Sequence, residues 1–355
     1  MYSSNSCSPK PKILLLGEPA YRGGIEEYGD QFDIDILKAS SRAELLDKLP
    51  AAVVSGGPYQ AVCRLGAHSF EPFDAQLFSP LLPHLRIVVT ANMGYNDFDV
   101  DWMTAQNIWF CNTRHATGEA TADMALFLVL AALRDTSRAE KSFREGRWRQ
   151  GLGLSRDPTG LTLGIVGMGN IGTRLARKAS AFNMRVRYHN RHRLPAKMEP
   201  AGVSYCQSLE ELLRSSDIVS LHCPLNSGTT RLIGHAELQM MKDRSYLINT
   251  SRGAVVDDEA LVQALESGKV ARAGLDVFGG EPAGVHPYFM ESDKVVVQPH
   301  MGGLTEGSFA KAQEECFANI RMYFDTGRPV APVNEIRQRK DSCAPEPERW
   351  IELAL

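Results

Sequence analysis

Leu161-Thr162-Leu163-Gly164-Ile165-Val166-Gly167-Met168-Gly169-Asn170-Ile171-Gly172 is the stretch on which the fold turns. Six mainly aliphatic residues run straight into Gly-x-Gly-x-x-Gly. Apolar side chains then recur three or four positions apart at Leu175, Ala179 and Phe182, so the period changes from strand to helix across the glycines. In such a turn the first glycine permits a tight bend, the second lets the backbone approach a pyrophosphate, and the third lets helix and strand pack closely. The first amides of the helix have no carbonyl partner and can bind phosphate. A dinucleotide site at Gly167, Met168, Gly169, Asn170, Ile171 and Gly172 is the expectation.

Outward from this turn, short apolar runs recur at Ile13 to Leu16, Ala52 to Ser55, Ile87 to Thr90, Ile218 to His222, Tyr246 to Thr250 and Val295 to Gln298. Segments of helical spacing separate most of them, which predicts an α/β fold of parallel sheets with helices on both faces. Ser208-Leu209-Glu210-Glu211 reads as a capping box, and Asp257 or Asp258 as the cap of a helix that stops at Gly268. The length, 355 residues, calls for two domains. Composition shifts at Glu145 to Pro158 and again after Gly303.

A formal charge of -3 with 23% charged and 43% hydrophobic residues describes a water-soluble globular chain, with no field to attract nucleic acid or an acidic membrane. The most apolar stretch, Met124 to Leu133, is too short to span a bilayer and predicts a buried or interface helix. Seven scattered cysteines without a C-x-x-C pair argue against disulfides and zinc, and for a reducing, cytoplasmic setting. Met1 to Lys10 lacks an apolar signal core and reads as a frayed tail. The charged, proline-containing stretch Gln338 to Glu348 reads as a mobile one.

An NAD-selective site places a carboxylate about 20 residues beyond the glycines, on the ribose hydroxyls. Here the stretch is Tyr188-His189-Asn190-Arg191-His192-Arg193. Asn190 stands in the acid's place, and Arg191 and Arg193 suit a 2′-phosphate, so NADP(H) is expected over NAD(H). A hydride carrier needs a proton donor and a substrate anchor beside it. Three residues downstream fit: Arg252 after a strand, whose guanidinium can fork onto a carboxylate; Glu281; and His300, of a side-chain type able to give a proton to a developing alkoxide and take it back. A carboxylate bonded to the far ring nitrogen would orient the imidazole and stabilise its positive charge.

In this arrangement the chain resembles the D-isomer-specific 2-hydroxyacid dehydrogenase family over roughly residues 86 to 335. The resemblance rests on Ala91-Asn92-Met93-Gly94-Tyr95-Asn96-Asp97-Phe98-Asp99, Gly118-Glu119-Ala120-Thr121-Ala122-Asp123, the glycine turn, His222-Cys223-Pro224-Leu225, Asn249-Thr250-Ser251-Arg252-Gly253, Asp276-Val277-Phe278 with Glu281-Pro282, and Pro299-His300. It implies two Rossmann-like domains, a cofactor domain over 118–303 inserted into a substrate domain formed by 1–117 and 304–355. It further implies reversible reduction of a small 2-oxoacid to the D-2-hydroxyacid, in a homodimer. His300 would be the acid, Glu281 its orienting partner and Arg252 the substrate anchor. The backbone at Met93 and Gly94, preceded by Asn92, would hold the substrate carboxylate. Thr121, His222, Cys223, Pro224, Thr229, Thr250, Ser251, Asp276 and Gly302 would line the cofactor together with Arg252 and His300.

Two departures bear on the substrate pocket: Asn92 where the family often has a small residue, and Arg114 where proline commonly follows Asn-Thr. Tyr59, Phe70 and Phe73, in the segment Tyr59 to Phe78, are candidate pocket walls or simple packing. Alternative readings are a nucleotide-sensing corepressor that keeps the trio, a formate dehydrogenase-like enzyme, which would carry Gln in place of Glu281, and a nucleotide-binding module of a larger complex.

Overall fold

The computed structural model describes residues 9–21, 23–66 and 70–336. Cys7, Cys343 and the stretch Gln338 to Glu348 lie outside the described residues, as does most of the N-terminal tail. The chain divides into two compact units, one made of residues up to Thr113 and from Phe309 onward, the other of Arg114–Ser308. The polar stretch at 145–158 therefore lies inside the second unit.

In the first unit five parallel strands, β1 (Lys12–Leu16), β2 (Asp33–Leu37), β3 (Ala61–Arg64), β4 (Ile87–Thr90) and β5 (Trp109–Asn112), stand in the order β2-β1-β3-β4-β5. The expected strand at Ala52 to Ser55 is instead the last turn of the helix Arg42–Gly56. Ser41 caps that helix by accepting the Glu44 amide, and Leu45 and Leu49, four apart, are buried beneath it, while Val54 is 88% exposed. A short apolar run fits either period, and the upstream cap decided between them. Tyr59, Phe70 and Phe73 are each at most 2% exposed and belong to the core with Leu14, Val62, Val88 and Phe110. They pack the sheet and do not wall a pocket.

The second unit holds seven parallel strands: β6 (Thr162–Val166), β7 (Arg185–His189), β8 (Val203–Tyr205), β9 (Ile218–Leu221), β10 (Ser245–Asn249), β11 (Val270–Leu275) and β12 (Val295–Val297). Their order is β12-β11-β10-β9-β6-β7-β8. The winding direction reverses between β6 and β9, and a doubly wound sheet opens its ligand crevice at the carboxyl ends of such a pair. Every residue of β6, β9 and β10 is buried, as a central strand covered on both faces requires. The helix Gly118–Arg134 covers one face with Ala122, Ala125, Leu128, Val129 and Ala132.

Local details follow their sequence signals with two exceptions. In the helix Asn170–Ala181, Leu175 and Ala179 face the sheet, but Phe182 follows the last turn and is 38% exposed. Ser208 accepts the Glu211 amide at 3.1 Å, whereas the Glu211 carboxylate reaches one residue further back, to the Gln207 amide at 2.9 Å. Asp257 caps the helix Asp258–Glu266 through the Ala260 amide, and Gly268 ends it with φ +79°. Among the described residues no helix is long and apolar enough to cross a membrane, and no group of three or more His, Cys, Asp or Glu is gathered to hold a metal.

Candidate active site

At the end of β6 the three glycines do three different things. Gly167 has φ +99°, and a Cβ there would stand 2.8 Å from the His222 carbonyl, so only glycine allows the chain to turn against the end of β9. A Cβ on Gly172 would stand 2.4 Å from the Gly167 oxygen, which makes that glycine a packing contact. A Cβ on Gly169 would meet nothing within 4 Å. Protein packing therefore leaves open the position at which a pyrophosphate needs close backbone approach. Gly169 is also the N-cap of Asn170–Ala181, with no side chain closing the helix end, and the Asn170 Oδ1 is buried without a partner. These residues fit a dinucleotide. Gly169→Ala should accordingly leave Tm unchanged and weaken cofactor binding at least about ten-fold by titration calorimetry; a lowered Tm with unaltered binding contradicts this.

After β7, where the sequence places the candidate ribose contact, the Asn190 Oδ1 accepts the Met168 amide at 2.7 Å. That bond fixes the orientation of the side-chain amide, and its Nδ2, a pure donor, is left without a partner among the described residues. Arg191 is exposed and forms no ion pair there. Arg193 is committed elsewhere, giving Nε and one terminal nitrogen to the two Glu199 oxygens at 2.9 Å each.

His222 follows β9 with Nε2 2.8 Å from the Ser220 hydroxyl and Nδ1 3.5 Å from that of Thr250. Desolvation pushes its pKa down to about 3, so it is neutral across the working range, and burial raises the neighbouring Cys223 thiol to about 11. Thr229 gives its hydroxyl to the Pro224 carbonyl at 2.6 Å and accepts the Asn226 amide, stapling its own loop. Thr121 and Asp276 meet at Gly302, where a Cβ would be 2.7 Å from Asp276 Oδ2 and 3.3 Å from Thr121 Cγ2.

The trio comes from three strand ends of this one unit. After β10, the 1% exposed Asn249 shapes the turn: its Oδ1 accepts the Ser251 amide at 3.0 Å and hydroxyl at 2.8 Å, and its Nδ2 donates to the Arg252 carbonyl at 2.9 Å. Gly253 then lies so close to the loop after β11 that a Cβ would stand 1.9 Å from the Phe278 carbonyl carbon. This brings the Arg252 turn against the loop carrying Glu281. The Glu281 Oε2 accepts the Phe278 amide at 2.9 Å, and Oε1 lies 2.6 Å from His300 Nδ1. Burial disfavours the charge on Glu281, but the bond to His300, the Phe278 amide and the nearby Arg252 outweigh it and hold the carboxyl below its ordinary value.

His300 has φ +55°, a left-handed backbone that non-glycine residues rarely adopt and that costs about 1–3 kcal/mol. Asp276 offsets this. The Asp276 carbonyl accepts the His300 amide at 2.8 Å, and its two carboxylate oxygens accept the amides of Met301 and Gly302 at 2.7 and 2.8 Å. The imidazole is half exposed, with Nδ1 engaged and Nε2 left to meet a substrate. Sequence reasoning named the trio as candidates but missed the structural roles of Asn249 and Gly253 and this clamping role of Asp276. The last has no local signal, since clamp and clamped loop lie on different strands.

In the first unit, Asn112 Nδ2 donates to the Met93 carbonyl at 2.5 Å and the Thr113 hydroxyl to the Ala91 carbonyl at 2.8 Å. The loop after β4 is thereby tied to the end of β5. The Met93 and Gly94 amides have no partner among the described residues.

The family model of the D-isomer specific 2-hydroxyacid dehydrogenase NAD-binding domain matches residues 126–302. A dehydrogenase of Hormonema carpetanum, efuE, is 54% identical over 342 residues, covering 95% of this chain and 85% of that protein. Among solved structures, a glyoxylate reductase from Paecilomyes thermophila is 36% identical with TM-score 0.83, covering 92% of this chain and 99% of its own. The holo form of D-mandelate dehydrogenase from Rhodotorula graminis is 30% identical with TM-score 0.85, covering 93% and 99%. The chain belongs to the D-isomer specific 2-hydroxyacid dehydrogenase family. It is an NAD(P)-dependent oxidoreductase built on that family's two Rossmann-like sheets.

Proposed function

We propose that the protein reduces a small 2-oxoacid to the D-2-hydroxyacid, with NADPH preferred to NADH. The observation that carries this reading is the 2.6 Å bond between Glu281 and His300 Nδ1, which leaves Nε2 facing outward from a clamped loop. When bound, the nicotinamide supplies the hydride that becomes the hydrogen at C2 of the product. His300 Nε2 delivers a proton to the carbonyl oxygen as negative charge develops there, and recovers it in the reverse direction. Glu281 holds the ring orientation and stabilises its positive charge before the transfer. Arg252 pairs with the substrate carboxylate and polarises the adjacent carbonyl. The amides of Met93 and Gly94, without a partner among the described residues, are donors of the kind that suits a carboxylate.

The cofactor preference rests on Asn190 and Arg191. With its Oδ1 held by Met168, Asn190 presents only N–H donors, which suit a phosphate and cannot take both ribose hydroxyls as a carboxylate does. Arg191 adds an uncompensated charge. Wild type should show a kcat/KM ratio for NADPH over NADH above one, falling about ten-fold or more in Arg191→Ala; equal efficiencies in wild type refute the preference. The reading as a whole is tested by assaying a panel of 2-oxoacids with both cofactors, and absence of turnover across the panel defeats it.

We further place the protein in the cytoplasm as a homodimer. The five described cysteines carry no disulfide, and Phe127, Phe143, Trp148 and Leu154 expose apolar surface on the cofactor-binding unit.

A further inference from the structure

The loop joining β7 to β8 is held by a network that hydride transfer does not use. Tyr188, fully buried on β7, donates its hydroxyl to Glu199 Oε1 at 2.6 Å and accepts the Leu194 amide at 3.2 Å. Glu199 takes Arg193 in a two-bond fork, and the Arg193 guanidinium lies 5.5 Å above the Tyr205 ring. Tyr205, on β8, donates its hydroxyl to the Asn190 carbonyl at 3.2 Å, and its ring lies 5.2 Å from that of Tyr188. The loop thus has a tied side, Arg193 and Glu199, and an open side, Arg191 with the Asn190 Nδ2. Arg193 and Tyr188 hold the Glu199 carboxyl down at about 2, so the fork persists throughout the working pH range.

We propose that Glu199 is a positioning residue for the ribose 2′-phosphate: by locking Arg193 against Tyr205 it withholds that arginine from the ligand and fixes Asn190 and Arg191 in the conformation that reads the phosphate. The inference rests on the NADPH reading above and assigns selectivity to one arginine on a prebuilt frame rather than to two mobile ones. Preorganisation raises affinity by removing the ordering cost that a flexible loop pays on binding.

The sign of one substitution separates this from simple electrostatics. Glu199→Ala removes a negative charge near a bound phosphate, so a purely Coulombic account predicts tighter binding. A strut predicts weaker binding. The test is titration calorimetry of the full-length protein with 2′,5′-ADP and with 5′-AMP, which differ in the 2′-phosphate. Glu199→Ala is expected to weaken 2′,5′-ADP about 3- to 10-fold, the scale of one hydrogen bond, while 5′-AMP is unchanged. Arg193→Ala should lose as much, and the double variant no more than either single, because the pair acts as a unit. A gain or no change for 2′,5′-ADP in Glu199→Ala overturns the proposal, as does a further loss in the double variant, which would make Arg193 a direct ligand.

Tyr205→Phe, which deletes one oxygen, asks the same question if Glu199→Ala fails to fold, and a 2′,5′-ADP affinity equal to wild type then overturns it. If wild type binds both ligands equally, the NADPH reading fails. The strut is then judged by amide hydrogen exchange over 190–202 in the ligand-free protein, where faster exchange in Glu199→Ala supports it and unchanged exchange overturns it.

Discussion

His300→Ala should lower kcat for 2-oxoacid reduction by about 10²- to 10⁴-fold, while the Kd for NADPH stays close to wild type. The size follows from the part assigned to the ring: a positioned acid that protonates the developing alkoxide contributes about 3–5 kcal/mol to the barrier. The selectivity for kcat follows from the geometry. Nδ1 is occupied by Glu281, and the loop bearing His300 is clamped by Asp276 through the amides of Met301 and Gly302, so truncating the imidazole leaves the backbone in place. The helix amides that fit a cofactor phosphate sit on a different strand end, after β6. Pre-steady-state kinetics with a cofactor titration separates the two effects. Full activity in this variant removes His300 from the chemistry.

Gly253→Ala carries the second large effect, and it acts through backbone. The added methyl would lie 1.9 Å from the Phe278 carbonyl carbon, with the Phe278 oxygen at 2.1 Å and the Gly279 nitrogen at 2.3 Å. None of these atoms can rotate away, so either the Arg252 turn or the Glu281 loop must shift. Overpacking of this kind costs about 3 kcal/mol, which lowers Tm by about 6–12 °C for a unit of this size. The shift also separates Arg252 from Glu281 and His300, so the folded fraction should have a raised KM for the oxoacid and a reduced kcat. Gly169→Ala is the contrast, because its methyl would enter open space. If Gly253→Ala matched wild type in both Tm and kinetics, the close packing of the two loops would not be the device that assembles the trio.

How much of this was legible in the amino acids depends on the range over which each signal acts. The glycine turn is local: strand, glycines and helix lie within a few residues, with Gly167 in the tight turn, Gly172 in the helix–strand packing and Gly169 facing open space. Arg252, Glu281 and His300 were legible as residue types able to do the chemistry, at the ends of apolar runs. Their convergence was not, because it depends on three neighbouring parallel strands, β10, β11 and β12, and on the missing Cβ of Gly253. Ala52 to Ser55 misled because so short a run, three apolar residues and a serine, carries no period of its own, and the deciding feature, Ser41, lies eleven residues upstream. For Phe70 and Phe73 the sequence left pocket lining and simple packing both open, and both side chains are fully buried core. Arg193 is legible as a phosphate ligand by type, whereas its ion pair with Glu199, six residues on, has no signal in the sequence.

The most direct test of the central claim is hydride transfer from NADPH deuterated at the reactive C4 position to a 2-oxoacid accepted by the protein, with the product resolved by chiral chromatography and mass spectrometry. The account predicts a D-2-hydroxyacid carrying deuterium at C2, formed at an enzymatic rate and lost with His300→Ala. An L-2-hydroxyacid, a product without deuterium at C2, or undiminished turnover in His300→Ala would contradict it.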